Sequence, residues 1–187
     1  MRLLCVVALL GAGCISTHPR APSVPVLTLA GTDDRQHSLA AEASASALTV
    51  YVFFSAHCRC LAVHEPRLLA LQKTYAPRGV RFFAVDSEVG ASVDRDRTEA
   101  LARRYPFPIL IDRGAALADV LGAEYATFAV VVDRSGIIRY YGGIDSDRSH
   151  LREGARGFLR DALDDLLAGR VPRVSHGEAL GCALEKS

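Results

Sequence analysis

Hydrophobic residues along this chain follow two periodicities, one typical of buried strands and one typical of helices. The run LTVYVFF is apolar or β-branched at every position, which predicts a central strand buried on both faces. VRFFAVD, FPILID, FAVVVD and IIRYYGG predict four further strands. Apolar residues at helical spacing predict helices over residues 61–75 and 151–168, and DRDRTEALARRY and AALADVLG predict two shorter helices between them.

Turn signals show how these elements connect. VPVLTLAGTDDRQHSL, around Val26, predicts a hairpin, and AAEASASA leads from it to the first core strand. Pro66 predicts a kink in the first long helix, and Arg134, Ser135 and Gly136 predict the turn of a second hairpin. Strands that alternate with helices and end in a hairpin and a helix indicate an α/β domain. Its expected form is a mixed central sheet with helices on both faces and an N-terminal hairpin extension.

Composition narrows the class of partner. The 187 residues are half hydrophobic and carry 22 Lys and Arg against 21 Asp and Glu, which gives a formal net charge of +1. The charges are scattered, so neither a basic stripe for nucleic acid nor an acidic interaction tail is predicted. We expect one folded domain whose partner is a small molecule or another protein.

The first residues have the layout of a secretory signal. MRLLCVVALLGAGC contains one Arg, then an apolar run too short to span a bilayer, then small residues before Cys14. The segment LLGAGC is similar to a bacterial lipoprotein box, although Gly11 stands where a larger aliphatic residue is usual. We predict a signal over residues 1–13 and lipid on Cys14. The alternative is cleavage elsewhere, with Cys14 lost or inert, and Cys5 is discarded in both cases.

These signals predict the organisation and the location of the protein. Residues 14–25 are rich in Pro, Ser and Thr and predict a tether, residues 26–170 predict the folded domain, and residues 171–187 predict a tail. The predicted location is the cell envelope, where the lipid anchors the domain to a membrane facing the periplasm or the exterior. Disulfides persist in such compartments, so closely spaced cysteines indicate redox chemistry before they indicate zinc.

Cys58 is the strongest candidate for a catalytic group. It follows the predicted central strand and precedes the first long helix, in the segment FFSAHCRC. A cysteine at a helix N-terminus is stabilised as the thiolate by the helix dipole and by free backbone N–H groups, which lowers its pKa. His57 and Arg59 beside it add positive charge, and His57 can also carry a proton. The alternative is an inert buried thiol.

From Val26 to Gly169 the order of elements resembles a thioredoxin-like redoxin, the group that contains envelope thiol–disulfide oxidoreductases and peroxiredoxins. The matching features are FFSAHC ending at Cys58, Pro66 eight positions later, RGVRFFAVDSE and the hairpin VVVDRSGIIRYYGG. The resemblance implies a thioredoxin-like fold and a redox enzyme without an organic cofactor. It also implies protein thiols, protein disulfides or a peroxide as substrate, and a reducing or oxidising partner protein.

The second cysteine departs from the usual thioredoxin pattern. That pattern is C-x-x-C, but here Leu61 occupies the second slot and Cys60 comes one residue early. A disulfide across one residue closes a small strained ring, which suits an oxidant or an isomerase better than a strong reductant. Cys182, in the tail VPRVSHGEALGCALEKS, is a candidate resolving thiol carried on a mobile tail. The alternatives for Cys182 are a static disulfide with Cys60 and a free thiol.

Two further departures concern the residues around the cysteines. Thioredoxins usually carry a cis-proline just before the strand that FAVVVD represents, whereas Ala126 and Thr127 occupy that place here. Peroxiredoxins place a hydroxyl and a proline ahead of their reactive cysteine. Ser55 matches the hydroxyl, but Tyr51 stands where the proline is expected. A thiol peroxidase acting through Cys58 therefore remains an alternative activity.

The competing function from another class is metal handling. His57, Cys58, Cys60 and His64 offer two thiolates and two imidazoles within eight residues, a donor set that suits Cu(I) or Zn(II). This alternative describes a thioredoxin-fold metallochaperone, and the C-R-C spacing departs from the pattern of the copper chaperones that share the fold. Without metal, His64 is expected to be a solvated residue of the first helix. Asp145, Ser146 and Asp147 are expected to cap the last helix.

Overall fold

The fold is built on a mixed sheet of seven strands, described for residues 22–186 in a computed structural model. The strands are β1 (Thr28–Gly31), β2 (Gln36–Ser38), β3 (Leu48–Phe54), β4 (Val80–Asp86), β5 (Ile109–Ile111), β6 (Phe128–Asp133) and β7 (Ile138–Gly143). The helices are α1 (Leu39–Ser44), α2 (Arg59–Tyr75), α3 (Val93–Ala102), α4 (Ala116–Leu121) and α5 (Phe158–Leu167). The predicted signal over residues 1–13, Cys14 and the tether up to residue 21 lie outside the described residues. Within residues 22–186, no helix has the length and apolarity needed to cross a membrane.

The central strand is β3. The strand order is β2-β1-β5-β4-β3-β6-β7, and β3 pairs in parallel with β4 and antiparallel with β6. All seven residues of β3 are buried, as its unbroken apolar run predicted. A strand with partners on both edges and packed faces leaves no exposed side for polar residues. The mixed sheet and the N-terminal hairpin of β1 and β2 are confirmed.

Two short segments differ from the prediction. α1 begins at Leu39 and covers the first part of AAEASASA, which was predicted to be a plain connection, because alanine has the highest helix propensity and the helix buries Leu39 and Ala43. β5 has only three residues, although FPILID predicted a longer strand. Pro106 and Pro108 have no N–H to donate to a sheet, and pairing with β4 begins at Ile109.

The last helix begins later than its apolar spacing predicted. α5 starts at Phe158, whereas a helix was expected from residue 151. Asp147 organises the loop before it, because its carboxylate accepts hydrogen bonds from the backbone N–H of Arg152 (2.8 Å) and from the Arg152 guanidinium (2.7 Å). The helix-capping prediction is therefore wrong for Asp145, Ser146 and Asp147.

The C-terminal tail lies along the domain and is ordered by backbone hydrogen bonds. Tyr141 N–H donates to Ser175 O (3.2 Å), and Gly177 N–H donates to Tyr141 O (3.1 Å). The tail therefore extends the sheet beside β7 before it turns toward the end of β3. The expectation of a mobile tail is wrong for the residues up to 186, because their backbone groups find partners on the domain.

Candidate active site

Cys58 occupies the N-cap of α2, one short turn after the end of β3. Its backbone is extended (φ −78°, ψ 107°), and its sulfur accepts a hydrogen bond from Leu61 N–H (3.3 Å). Cys58 N–H donates to the carbonyl of Ser55 (3.3 Å), which closes the turn between strand and helix. The sulfur therefore faces the free N–H groups of a 17-residue helix, an arrangement that favours the thiolate.

Cys58 and Cys182 form a disulfide. The two residues are 124 positions apart in sequence, and their Cα atoms are 5.6 Å apart, within the ordinary range for such bonds. Cys182 N–H also points at the Cys58 sulfur (3.4 Å). The alternatives of a disulfide between Cys182 and Cys60 and of a free Cys182 are not the pairing in this structure.

Cys60 is the third thiol of the site. It is free and half-buried in the first turn of α2. The sulfurs of Cys58, Cys60 and Cys182 all lie within 4.8 Å of one another. A thiolate at Cys60 is thus close enough to exchange with either sulfur of the disulfide after a small side-chain rotation.

Backbone pairing holds Cys182 in place beside Cys58. Ala126 N–H donates to Cys182 O (2.9 Å), and Leu184 N–H donates to Glu124 O (3.0 Å), so the tail forms a short antiparallel ladder there. Leu184 is buried, and Lys186 forms ion pairs with Asp119 (2.9 Å) and Glu124 (3.0 Å). These contacts position the tail independently of the sulfur–sulfur bond.

Thr127 lies between this ladder and the end of β3. Its N–H donates to Phe53 O (3.0 Å), and its φ of +84° falls in the left-handed region that side chains other than glycine rarely adopt. Its hydroxyl is buried without a hydrogen-bond partner. No cis peptide bond occurs among residues 22–186. The segment without proline therefore meets the tail through an unusual backbone conformation at Thr127.

Of the remaining residues considered for the site, two are exposed to solvent and two are buried. His57 and Arg59 flank Cys58 and are exposed, so both can add positive charge at the mouth of the site. Ser55 is buried and shapes the turn through its carbonyl. Tyr51 is buried in the core and stacks on Phe83.

The expectation that His64 is solvated is wrong. Its side chain is buried, Nδ1 lies 2.6 Å from Cys60 O, and Nε2 lies 3.1 Å from Asp145 Oδ1 and 3.2 Å from Asp147 O. A carbonyl and an ionised carboxylate only accept hydrogen bonds, so both ring nitrogens face acceptors, an arrangement that favours the protonated ring. Burial alone would lower the pKa of His64, but the hydrogen bond to Asp145 and the other acceptors outweigh it and raise the pKa.

This network ties the first turn of α2 to the loop after β7, and sequence reasoning missed it. Arg67 also binds the carboxylates of Asp145 and Asp147, each at 2.8 Å. The partners of His64 lie 81 and 83 residues away, so no local spacing in the sequence signals the contact. The nearest signal in the sequence was the pair Asp145 and Asp147, which had been interpreted as caps of the last helix.

The four-residue metal set predicted from spacing does not assemble. His64 is directed to Asp145, and His57 is exposed and outside the group of close donors. Within residues 22–186, the only group of at least three cysteine, histidine or acidic ligand atoms close enough to share an ion is Cys58, Cys60 and Cys182. His64 fails because its place on α2 directs it to Asp145 and Asp147, and His57 fails because it lies in the turn before α2 with its side chain exposed.

Comparison with known proteins found one family model and several solved structures of similar fold. A family model described as Redoxin matches residues 19–153. A hypothetical protein from Sinorhizobium meliloti is 23% identical, with 89% of this chain and 94% of that chain covered and a TM-score of 0.80. An uncharacterised conserved protein from Geobacillus kaustophilus is 26% identical, with 89% and 92% covered and a TM-score of 0.81.

A secreted disulfide oxidoreductase from Mycobacterium tuberculosis has the same fold at lower similarity. It is 14% identical, with 77% of this chain and 96% of that chain covered and a TM-score of 0.55. No curated protein matches the sequence.

Proposed function

The chain belongs to the redoxin family, and we propose that it is a thiol–disulfide oxidoreductase in which Cys58 is the attacking thiolate and Cys182 is the resolving thiol. The observation that carries this proposal is the Cys58–Cys182 disulfide at the N-terminus of α2. Its two sulfurs come from a helix cap and from a tail that backbone hydrogen bonds hold in place. This arrangement is suited to a bond that opens and closes without rearranging the domain.

In the reducing direction the chemistry has two exchange steps. The Cys58 thiolate attacks a disulfide of the substrate protein, forms a mixed disulfide and releases one substrate thiolate, which takes up a proton. Cys182, as a thiolate, then attacks the Cys58 sulfur, which releases the second substrate thiolate and forms the Cys58–Cys182 bond. Leu61 N–H and Cys182 N–H stabilise charge on the Cys58 sulfur whenever it is a thiolate. A dithiol partner protein returns two electrons and two protons.

The supporting residues have narrower roles in this proposal. Arg59 lies between the two cysteines of C-R-C, and its positive charge stabilises the attacking thiolate of Cys58. His57 is exposed next to Cys58 and can protonate the leaving thiolate. Cys60 is the second resolving thiol, which attacks the mixed disulfide when Cys182 is absent.

Cysteine variants of the full chain test these roles, with insulin reduction as the measurement. We expect Cys58→Ser to abolish turnover and Cys182→Ser to slow it, because Cys60 then resolves the mixed disulfide across one residue. The double variant Cys60→Ser/Cys182→Ser should accumulate the mixed disulfide, visible by mass spectrometry. Full turnover in Cys182→Ser together with loss of turnover in Cys60→Ser would assign the resolving role to Cys60 instead.

Peroxide is the competing substrate class. In a peroxidase, the Cys58 thiolate would take one oxygen from the peroxide and become a sulfenic acid, while the rest of the peroxide leaves as water or an alcohol. The Cys182 thiol would then condense with the sulfenic acid to form the same disulfide and water. Ser55 and the disulfide are compatible with that route, whereas Tyr51 occupies the place of the expected proline. If the reduced protein consumed peroxide but did not reduce insulin, its function would be peroxide reduction and not disulfide exchange.

The proposed location is the bacterial cell envelope, with lipid on Cys14 as the anchor. The support is the segment LLGAGC followed by a Pro- and Ser-rich tether in the sequence. Full-length protein should be recovered with membranes, and Cys14→Ser should move it to the soluble envelope fraction. Wild-type protein that is wholly soluble would contradict the anchor and leave the redox proposal standing.

A further inference from the structure

The three sulfurs of the site form a compact group of soft donor atoms. All lie within 4.8 Å of one another. Three thiolates bound to one ion at about 2.3 Å lie about 3.8 to 4.0 Å apart, depending on the geometry of the ion. Once the Cys58–Cys182 bond is reduced, those two sulfurs must move from bonding distance, about 2.0 Å, to about 3.8 to 4.0 Å, and Cys60 must approach by up to about 1 Å. Rotation about χ1 moves each sulfur without moving the backbone.

Reduction leaves the third donor in the site, because the tail is held by more than the disulfide. Ala126 N–H bonds to Cys182 O, and Leu184 N–H bonds to Glu124 O. Further along, Val89 N–H donates to Glu185 O (2.9 Å). Cys182 is therefore expected to remain beside Cys58 in the dithiol state. Binding an ion then requires little further ordering of the tail, because the fold already holds it in place.

The surroundings suit a cluster of negative charge. The Cys58 sulfur receives Leu61 N–H and Cys182 N–H, and the N-terminus of α2 carries positive partial charge. Arg59 adds a full positive charge on the exposed side. The N–H groups and Arg59 therefore surround the three sulfurs with the positive charge that a complex of three thiolates with one monovalent ion requires.

The identity of the donors selects the kind of ion. Among residues 22–186, no histidine or carboxylate joins the three cysteines. Thiolate donors suit Cu(I), Zn(II) and iron–sulfur clusters, and Zn(II) in structural sites almost always takes four protein ligands. A site of three thiolates without a fourth protein ligand therefore favours Cu(I).

We propose that the reduced protein binds one Cu(I) ion through the thiolates of Cys58, Cys60 and Cys182, and that formation of the Cys58–Cys182 disulfide expels it. A dithiol supplies two electrons and two protons to open the disulfide. The three thiols then release three protons to solvent as the ion binds, and copper keeps its oxidation state. Oxidation by a disulfide partner withdraws two electrons from Cys58 and Cys182 and leaves the ion with the single thiolate of Cys60. This proposal does not rest on catalytic turnover.

Copper competition tests the proposal. The full chain with Cys5→Ser and Cys14→Ser, which leaves only the three thiols of the site, is reduced, freed of reductant without oxygen and titrated with Cu(I) against bicinchoninate. We expect one equivalent to be withdrawn from the chelator by the reduced protein and none by the oxidised protein. Since loss of a second-shell partner alone costs about 10- to 100-fold in metal affinity, Cys60→Ser and Cys182→Ser should each weaken binding by more than about tenfold.

A matched variant and a second ion complete the experiment. His150→Ala removes an exposed histidine outside the cluster and should leave the stoichiometry and affinity unchanged. The proposed site would be wrong if the oxidised protein bound Cu(I) as tightly as the reduced protein, or if Cys182→Ser bound it as tightly as wild type. Retention of Zn(II) in preference to Cu(I) would overturn the choice of ion. Insulin reduction by the same preparations separates the two proposals, because turnover without copper binding refutes only the copper site.

Discussion

Gly181 lies against the carbonyl oxygen of Ala126 so closely that a β-carbon at position 181 would overlap that oxygen. Gly181 precedes Cys182, and Ala126 precedes the left-handed Thr127, so this contact joins the tail to the domain at the active site. The tail approaches just as closely at Gly142, where an added β-carbon would overlap backbone atoms of Gly177. Glycines therefore determine how near the tail can come to the sheet.

Gly181→Ala should displace the tail and weaken the link between Cys58 and Cys182. The overlap is with backbone atoms, which a side-chain rotation cannot relieve. We expect the reduced variant to form the Cys58–Cys182 disulfide more slowly than wild type in a glutathione buffer, measured by peptide mapping after an acid quench. Gly157→Ala is the control, because its φ is −86° and an added β-carbon there meets only the flexible side chain of Arg160. Equal rates in Gly181→Ala and wild type would show that the contact does not position Cys182.

The Cys58–Cys182 bond should contribute strongly to the stability of the oxidised protein. It closes a loop spanning 124 residues, and cross-links over loops of about 100 residues restrict the unfolded chain by up to about 5 kcal/mol. Cys182→Ser should therefore lower the free energy of unfolding in urea by about 3 to 5 kcal/mol relative to oxidised wild type. Cys60→Ser should retain the bond and its stability. A reduced wild-type protein as stable as the oxidised one would contradict this prediction.

His64→Leu should destabilise the fold, because His64 is buried and connects α2 to the loop after β7. The substitution removes the donors to Cys60 O and Asp145 and leaves a buried carboxylate with Arg67 as its remaining cation. Removing one partner of a buried ion pair costs about 3 to 5 kcal/mol. The measurement is urea unfolding, with His150→Leu on the exposed loop as the control, which should change stability by less than about 0.5 kcal/mol. Equal effects of the two variants would refute the buried network.

The contribution of Asp165 to the free energy of unfolding should depend on pH in the acid range. Hydrogen bonds from the Arg170 side chain, the Arg173 backbone N–H and the Arg173 side chain lower the pKa of Asp165 to about 2. A folded-state pKa below that of the unfolded chain means that the contribution is present above about pH 4 and is lost as the pH falls toward 2. The stability difference between wild type and Asp165→Asn should therefore be largest at neutral pH and shrink between pH 4 and 2.

The control for this pH dependence is Glu153→Gln, which neutralises an exposed carboxyl in the loop before α5. Its stability difference from wild type should stay small throughout that range. A constant gap between wild type and Asp165→Asn from neutral pH to pH 2 would show that the arginines do not bind the ionised carboxylate.

The local periodicity of hydrophobic residues was sufficient to predict most of the strands and helices, but it did not predict all of their first and last residues. The strands β3, β4, β6 and β7 were predicted because hydrophobic side chains continue through them, and burial depends on that pattern directly. The start of α5 was misplaced because Leu151 fits a helical stripe, whereas Asp147 binds Arg152 and holds that segment as a loop. A hydrophobic stripe does not reveal a competing carboxylate.

The sequence by itself determined that Cys58 follows a buried strand and begins a helix, because a strand-to-helix turn and its N–H groups depend on residues within one helical turn. It also determined the early position of Cys60. Only the tertiary structure decided that Cys182 bonds to Cys58 and that His64 pairs with Asp145. These partners are 124 and 81 residues apart. Such pairs meet only after the sheet has formed and the tail and the loop after β7 have packed on it, so no local pattern of residues encodes the contact.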